Sequence, residues 1–205
     1  QRFQALAGDR VAQISNIQSH CHKNIPLANR RPAESFPGQV KGTVTGIGAG
    51  GSQPFLGDID GDGAPEIVLT TQNRLHAYTY VAGTGLALKW TLVTTDDSAL
   101  TTLAMFDFNS DGVTELVYRD TSQLRIIDGS GAAATNLATF ACQSGTGTEM
   151  PVIGDLDGSG GARIITTCGD ASNSVGDVRV FASDSFPWAE TRPVWNQQAY
   201  FVTHV

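Results

Sequence analysis

The sequence predicts an all-β protein made of about three four-stranded antiparallel blades of the β-propeller type. The composition is the first indication, since charged residues are only 16% of the chain and 23 of its 205 residues are glycine, as in turn-rich β-structure. Short β-branched runs bounded by turn signals are the second. The third is an aspartate-rich loop that recurs after 49 and then 48 residues, a spacing that marks a repeat architecture.

The first aspartate-rich loop places acidic side chains at alternate positions along a glycine-rich stretch. Such a loop can turn several hard oxygen atoms towards one point, and Ca²⁺ takes 6–8 oxygen ligands in a flexible shell. The predicted ligands are the side chains of Asp58, Asp60, Asp62 and Glu66, with the carbonyl of Ala64.

Two further copies follow at the same offsets. The predicted ligands of the second are Asp107, Asn109, Asp111 and Glu115, with the carbonyl of Val113; those of the third are Asp155, Asp157 and Ser159, with the carbonyl of Gly161. In the third copy Arg163 stands where an acid is expected, and its guanidinium could act as the cation. The sequence therefore predicts two calcium sites and leaves the third loop open.

These loops begin with the same spacing of acidic residues as an EF-hand, but two features argue against that motif. An EF-hand needs a helix on each side and a bidentate glutamate at its twelfth position. Leu69 and Tyr118 stand at that position in the first two copies, and β-branched runs follow directly.

Strands are predicted on both sides of every loop, with the loop between the first and second strands of its unit. The predicted strands cover residues 53–59, 66–71, 74–81 and 86–93, then 100–108, 115–118, 123–127 and 134–142, then 150–156, 163–167 and 177–182. The repeat region is 41–185, preceded by a non-repeat segment at 1–40 and followed by an aromatic tail at 186–205.

Two residue clusters outside the loops are also candidates for a functional role. His20, Cys21 and His22 are adjacent and so point in different directions, which makes a surface loop a better reading than a zinc or copper site. The aromatic tail carries Trp188 and Trp195. It is predicted to cap the core, with a sugar-stacking platform as the alternative.

The three cysteines allow more than one interpretation. Cys142 and Cys168 bracket the third loop and are the candidate disulfide pair, which would leave Cys21 over. The alternative is that all three are buried thiols. A disulfide would fit an oxidising compartment.

Charge and motifs exclude several classes of function. The formal net charge of −7 argues against a nucleic-acid partner, because phosphate binding needs a basic surface. No apolar run approaches the length that spans a bilayer. The chain has no nucleophile elbow, phosphate loop or dinucleotide fingerprint, and the repetition of the carboxylates favours structural metal over a unique catalytic site.

The loop pattern, Asp-x-Asp-x-Asp-Gly-x-x-Glu before Ile-Val, resembles the calcium loop of FG-GAP and VCBS-type β-propeller repeats, over roughly residues 42–180. The resemblance implies the ligand positions given above, Ca²⁺ as the cofactor and a bacterial secreted or cell-surface protein. Such propellers usually have seven blades, and three cannot close a ring of ordinary size. Either further sequence or other chains supply more blades, or the units form an open stack whose exposed strand edges favour self-assembly.

The predicted function is a non-catalytic extracellular calcium-binding module for adhesion, ligand binding or surface and filament assembly, with a protein or carbohydrate ligand. The alternative is a propeller polysaccharide lyase or glycoside hydrolase whose site is completed by further blades. Turnover of a glycan that is lost on mutation outside the loops would discriminate them.

Overall fold

A computed structural model describes residues 38–48, 51–145, 147, 149–169 and 175–193 of the chain. The chain divides into two units, Gln1–Val40 and Lys41–Val205, and the account below concerns the second. The predictions about His20, Cys21, His22 and Trp195 lie outside the described residues.

The described residues form three antiparallel sheets in sequence order, which we number blades 1 to 3. Blade 1 has β1 (Phe55–Gly57), β2 (Glu66–Thr71), β3 (Arg74–Val81) and β4 (Gly85–Val93). Blade 2 has β5 (Leu103–Phe106), β6 (Glu115–Arg119), β7 (Gln123–Asp128) and β8 (Thr135–Ala141), and blade 3 has β9 (Val152–Gly154), β10 (Arg163–Gly169) and β11 (Gly176–Phe181). The predicted all-β, blade-like architecture is confirmed, and the three blades do not close a ring.

One detail differs from the general prediction of four-stranded blades. Blade 3 has three strands in the described part of the chain, and they lie within or close to the three strand ranges predicted for it. After β11 the chain turns at Ser183–Ser185 and then pairs with the third aspartate-rich loop instead of returning along β11. Residues 38–48 contain no strand, in agreement with predicted strands that begin at residue 53. Gly46 and Gly48 have positive φ angles of 73° and 107° there, which break an extended backbone.

The blades pack face to face, and blade 2 is covered on both faces. One face of β6 presents Leu116 and Tyr118 to blade 1, and the other presents Val117 to blade 3. All five residues of β6 are buried, and its central residues Leu116–Tyr118 form a continuous apolar run between Glu115 and Arg119 instead of an alternating pattern. Trp90 of blade 1 crosses to blade 2 and donates a hydrogen bond from Nε1 to the Gly129 carbonyl at 2.8 Å.

Blades 2 and 3 are also joined covalently. Cys142 follows β8 and Cys168 lies near the end of β10, and a disulfide connects them with their Cα atoms 4.9 Å apart. The described residues contain no helix that is long and apolar enough to cross a membrane.

Candidate metal centres

The three aspartate-rich loops share one backbone frame. We name residues 58–66 loop 1, 107–115 loop 2 and 155–163 loop 3, and count positions one to nine within each. The carboxylate at position one accepts a hydrogen bond from the glycine N–H at position six in every loop, namely Asp58 from Gly63 (2.9 Å), Asp107 from Gly112 (2.9 Å) and Asp155 from Gly160 (3.0 Å). These glycines have φ between 86° and 89°, a conformation that favours glycine.

Short-range hydrogen bonds from the third and fifth positions tighten the frame. The side chain at position three accepts from the N–H at position five in each loop, at 2.9–3.2 Å. Asp62 and Asp111, at position five, accept in turn from the N–H at position seven at 2.7 and 2.8 Å. This is the turn chemistry that Asp and Asn favour.

The ninth position is buried in loops 1 and 2. Glu66 and Glu115 begin β2 and β6, and an oxygen of each accepts the N–H of position two, from Ile59 at 3.2 Å and from Phe108 at 2.8 Å. Burial raises the pKa of both carboxyl groups. For Glu115 the pKa rises to about 7, with the nearby charges of Asp111 and Asp107 adding to the effect of burial. A buried carboxylate of this kind is stabilised by a nearby cation.

Loop 1 brings three of its acids together. Oxygen atoms of Asp58, Asp60 and Glu66 lie within 4.8 Å of one another, the one group of three such side chains in the part of the chain that the structure describes. Asp62 does not belong to this group. Lys89, from β4, lies beside it, and its Nζ donates to Asp60 Oδ2 at 2.5 Å. This hydrogen bond lowers the pKa of Asp60 below its usual value.

Loop 2 has the same frame but a different third position. Asn109 uses its Nδ2 to donate to Asp111 Oδ2 at 2.9 Å, so these two side chains meet each other. Asp107 accepts from two backbone N–H groups, those of Asp111 and Gly112. No ion pair to a carboxylate of this loop is found among the described residues.

Loop 3 is held by its own cation. The guanidinium of Arg163, at position nine, donates to the carbonyl of Gly161 at 3.1 Å and to Asp157 Oδ2 at 3.1 Å. These are two of the predicted calcium ligands. Hydrogen bonds from Ser159, together with the charge of Arg163, lower the pKa of Asp157 to about 2.

The donor sets decide which loops suit a metal ion. Loops 1 and 2 offer carboxylate, amide and carbonyl oxygens, the chemistry that a hard divalent cation such as Ca²⁺ prefers. Loop 3 does not fit, because a fixed positive charge already contacts positions three and seven.

Two partners of the loops were not found by sequence reasoning. Lys89 is 29 residues from Asp60, and nothing in the sequence connects them. The second is the described part of the aromatic tail, residues 186–193, which hydrogen-bonds both loop 2 and loop 3. Ala189 donates to the Phe108 carbonyl at 2.9 Å, and Thr191 donates to the Gly160 carbonyl at 2.8 Å.

Trp188 in the same tail packs edge-on against Phe108, with ring centroids 4.8 Å apart. The predicted capping role fits this placement, since Trp188 contacts the core between blades 2 and 3.

Comparison with known proteins points to the same family as the loop pattern. Residues 58–118, which contain loops 1 and 2, match the FG-GAP-like repeat family. The biofilm matrix protein Bap1 of V. cholerae is similar in structure, with a TM-score of 0.55 and 28% sequence identity over 66% of this chain and 23% of Bap1. The chain therefore spans about a quarter of that protein.

A weaker similarity links the chain to a Tc holotoxin pore of Photorhabdus luminescens. The TM-score is 0.45 and the identity 20%, over 74% of this chain and 7% of that one. No curated protein matches the chain.

Proposed function

We propose that this chain, which carries an FG-GAP-like repeat at residues 58–118, is a non-catalytic calcium-stabilised propeller module of an extracellular or cell-surface assembly. The observation that carries the proposal is the convergence of Asp58, Asp60 and Glu66 within 4.8 Å on a frame that loop 2 repeats. Calcium in loops 1 and 2 would neutralise acids that otherwise repel one another and would fix the direction of β2 and β6.

Calcium binding would then be part of folding stability, because the unfolded chain offers no preformed site. The location outside the cell rests on three supports. Loops of weak to moderate affinity are filled where calcium is abundant, the disulfide suits an oxidising compartment, and Bap1 is a biofilm matrix protein.

Thermal melting with and without a chelator tests the calcium role. We expect EDTA to lower the melting temperature of the full chain, because each site filled at about 100 times its Kd contributes about 2.7 kcal/mol. Adding back excess Ca²⁺ should restore it, and Mg²⁺ should restore less, since Mg²⁺ needs a tighter octahedral shell. An unchanged melting temperature would contradict the proposal.

The assembly role rests on a difference between the position-two side chains of the loops. Ile59 and Phe108 are 0% and 6% exposed because the following blade or the tail covers them, whereas Leu156 of loop 3 is 59% exposed. Val178 and Val180 of β11 are also exposed. They pair with Thr167 and Ile165, opposite the face that packs on blade 2.

The outer face of blade 1 is covered only in part. Residues 41–48 lie against it: an added Cβ at Gly42 would meet the backbone of Gly85 at 3.1 Å, and the backbone of Ile47 hydrogen-bonds His76. Leu56 and Val93 of blade 1 are exposed as well. Blade 3 differs in that the position-two side chain of its loop is exposed together with the outer face of β11. We propose that a further blade-like unit packs there.

Measuring the molar mass of the full chain in calcium, by light scattering, tests this surface. We expect association that depends on concentration and that Val178→Lys abolishes. Val93→Lys is the matched control, because Val93 is equally exposed, at 66% against 69%, but belongs to blade 1. A monomer at all concentrations would remove self-association through this face.

A further inference from the structure

Lys89 occupies an unusual place in blade 1. Ala77 of β3 pairs with Trp90 and Tyr78 pairs with Leu88, so Lys89 is the extra residue of a β-bulge in β4. A bulge redirects the side chain of the extra residue relative to the regular pleat. Here it directs Nζ to Asp60 in loop 1, and the two side chains are only 15% and 19% exposed.

Blade 2 has the same bulge with a different residue. Ile126 of β7 pairs with Ala138 and Ile127 pairs with Asn136, so Leu137 is the extra residue. Leu137 lines a surface cavity together with Asn109 and Glu115 of loop 2. The bulge residue is therefore an ammonium that contacts loop 1 in blade 1, and an apolar side chain that lines the same cavity as loop 2 in blade 2.

The charge of the bulge residue follows the charge of the side chain at position three of the loop in the same blade. Lys89 faces the carboxylate Asp60, and Leu137 accompanies the neutral Asn109. Loop 1 has one more carboxylate than loop 2, and the ammonium offsets that charge. Loop 1 with Lys89 and loop 2 with Leu137 thus carry the same formal charge of about three negative units, by the usual ionisation of Asp, Glu and Lys.

We propose that Lys89 is the built-in counter-ion of loop 1, which holds Asp60 when calcium is absent and which calcium must displace from Asp60 to bind. This inference rests on the proposed calcium role. The ammonium would stabilise the calcium-free loop and weaken the affinity of loop 1 for calcium. Arg163 pairs with the position-three carboxylate of loop 3 in the same way, and its guanidinium also contacts the position-seven carbonyl.

The test exchanges the bulge residues between blades. Lys89→Leu gives blade 1 the residue of blade 2, and Leu137→Lys does the reverse. Calorimetric titration of the full chain with CaCl2 after EDTA treatment measures affinity, and an Asp107→Asn background removes loop 2 so that loop 1 is measured alone. Melting in EDTA gives a second readout, independent of calcium.

We expect Lys89→Leu to raise the calcium affinity of loop 1 about tenfold, as expected for removing one charge about 5 Å from a divalent ion in a water-like dielectric. The same variant should melt at a lower temperature in EDTA. Leu137→Lys should weaken calcium binding by loop 2. Arg74→Gln is the control for net charge, because Arg74 lies at the opposite end of β3 from the residues that pair beside loop 1, and it should change neither quantity.

The outcomes separate the inference from the proposed function. Calcium bound by loop 1 of the wild-type chain and of Lys89→Leu with equal affinity, and equal melting in EDTA, would overturn the role of Lys89 alone. Calcium bound by no variant would overturn the proposed function. In that case a lower melting temperature of Lys89→Leu would still support the counter-ion, and an unchanged one would overturn it.

Discussion

Loops 2 and 3 have the same backbone frame but are closed by opposite charges. In loop 2 the ninth position is Glu115, buried and without an ion pair among the described residues. In loop 3 it is Arg163, whose guanidinium contacts Gly161 and Asp157. The hydrogen bond that the position-one aspartate accepts from the glycine five residues later has the same length in both loops within 0.1 Å. We therefore propose that the same turn geometry is completed by an external cation in loop 2 and by a side chain of the chain itself in loop 3.

The surroundings of loops 2 and 3 also differ. Loop 3 is bracketed by the Cys142–Cys168 disulfide and pairs with the tail at Gly161 and Glu190. Loop 2 connects strands of the most buried blade, and its buried glutamate has no ion pair within the described part of the chain. We therefore expect blade 3 to depend on the disulfide and its guanidinium, and blades 1 and 2 to depend on calcium.

Reducing the disulfide should have the largest effect. The two cysteines are 26 residues apart, and closing a loop of that length contributes about 3 kcal/mol in the chain-entropy treatment. Hydrogen exchange should show the loss of protection concentrated in β9 to β11. A uniform loss of protection across all blades, or no loss, would contradict the special dependence of blade 3 on the disulfide.

A matched pair of substitutions should have the next largest effect. Asp107→Asn should cost about 2–3 kcal/mol in saturating calcium and much less in EDTA, because most of its effect is lost ion binding. Asp155→Asn should cost about 1 kcal/mol in both conditions, because it weakens only hydrogen bonds. Denaturant unfolding measures both. Equal calcium dependence of the two variants would contradict the assignment of loop 3 as metal-free.

Replacing the guanidinium tests whether the residue at position nine decides metal binding. Arg163→Glu gives loop 3 the acid that loops 1 and 2 have at position nine. In EDTA we expect it to destabilise the chain only slightly, since the lost ion pair is exposed and solvent screens it. In calcium the loss should be smaller, and calorimetry should detect an additional bound ion. A variant that gains no ion shows that position nine alone does not exclude the metal.

The smallest effect concerns pH and a residue far from all three loops. Burial lowers the pKa of His76, which hydrogen-bonds Thr71 and Thr91 at 2.9 and 3.0 Å. Because the unfolded chain binds a proton first, this contribution to stability is present above pH about 6.5 and is lost as the pH falls towards the folded pKa.

His76→Gln should remove this dependence while keeping a polar group between the threonines. The wild type should therefore lose more stability than the variant between pH 7 and pH 5, by less than about 1 kcal/mol. Equal losses would show that His76 does not contribute, and that acid acts through the carboxylates.

Much of the fold followed from the sequence because its signal is local and repeated. The 49- and 48-residue spacing of Asp58, Asp107 and Asp155 placed the loops, and β2, β6 and β10 begin at Glu66, Glu115 and Arg163 as expected. The alternatives for Cys142 and Cys168 were left open by the sequence, and the structure joins the two residues.

What the sequence could not predict depends on register and on long-range pairing. Lys89 reaches Asp60 only because of a β-bulge, and a bulge depends on how β3 and β4 align. The pairing of the tail with loop 3 joins Gly161 to Glu190 through hydrogen bonds between backbone groups, which carry no residue-specific signal. The ligand roles of Asp62, Asn109 and Asp111 stay predictions.

The number of calcium ions bound by the wild-type chain tests the central claim most directly. Native mass spectrometry after equilibration with excess Ca²⁺ would count them. Two ions per chain are expected, in loops 1 and 2, with one lost in Asp107→Asn and the other in Asp58→Asn. A count of zero would contradict the calcium role, and a count of three would contradict the role of Arg163 as the cation of loop 3.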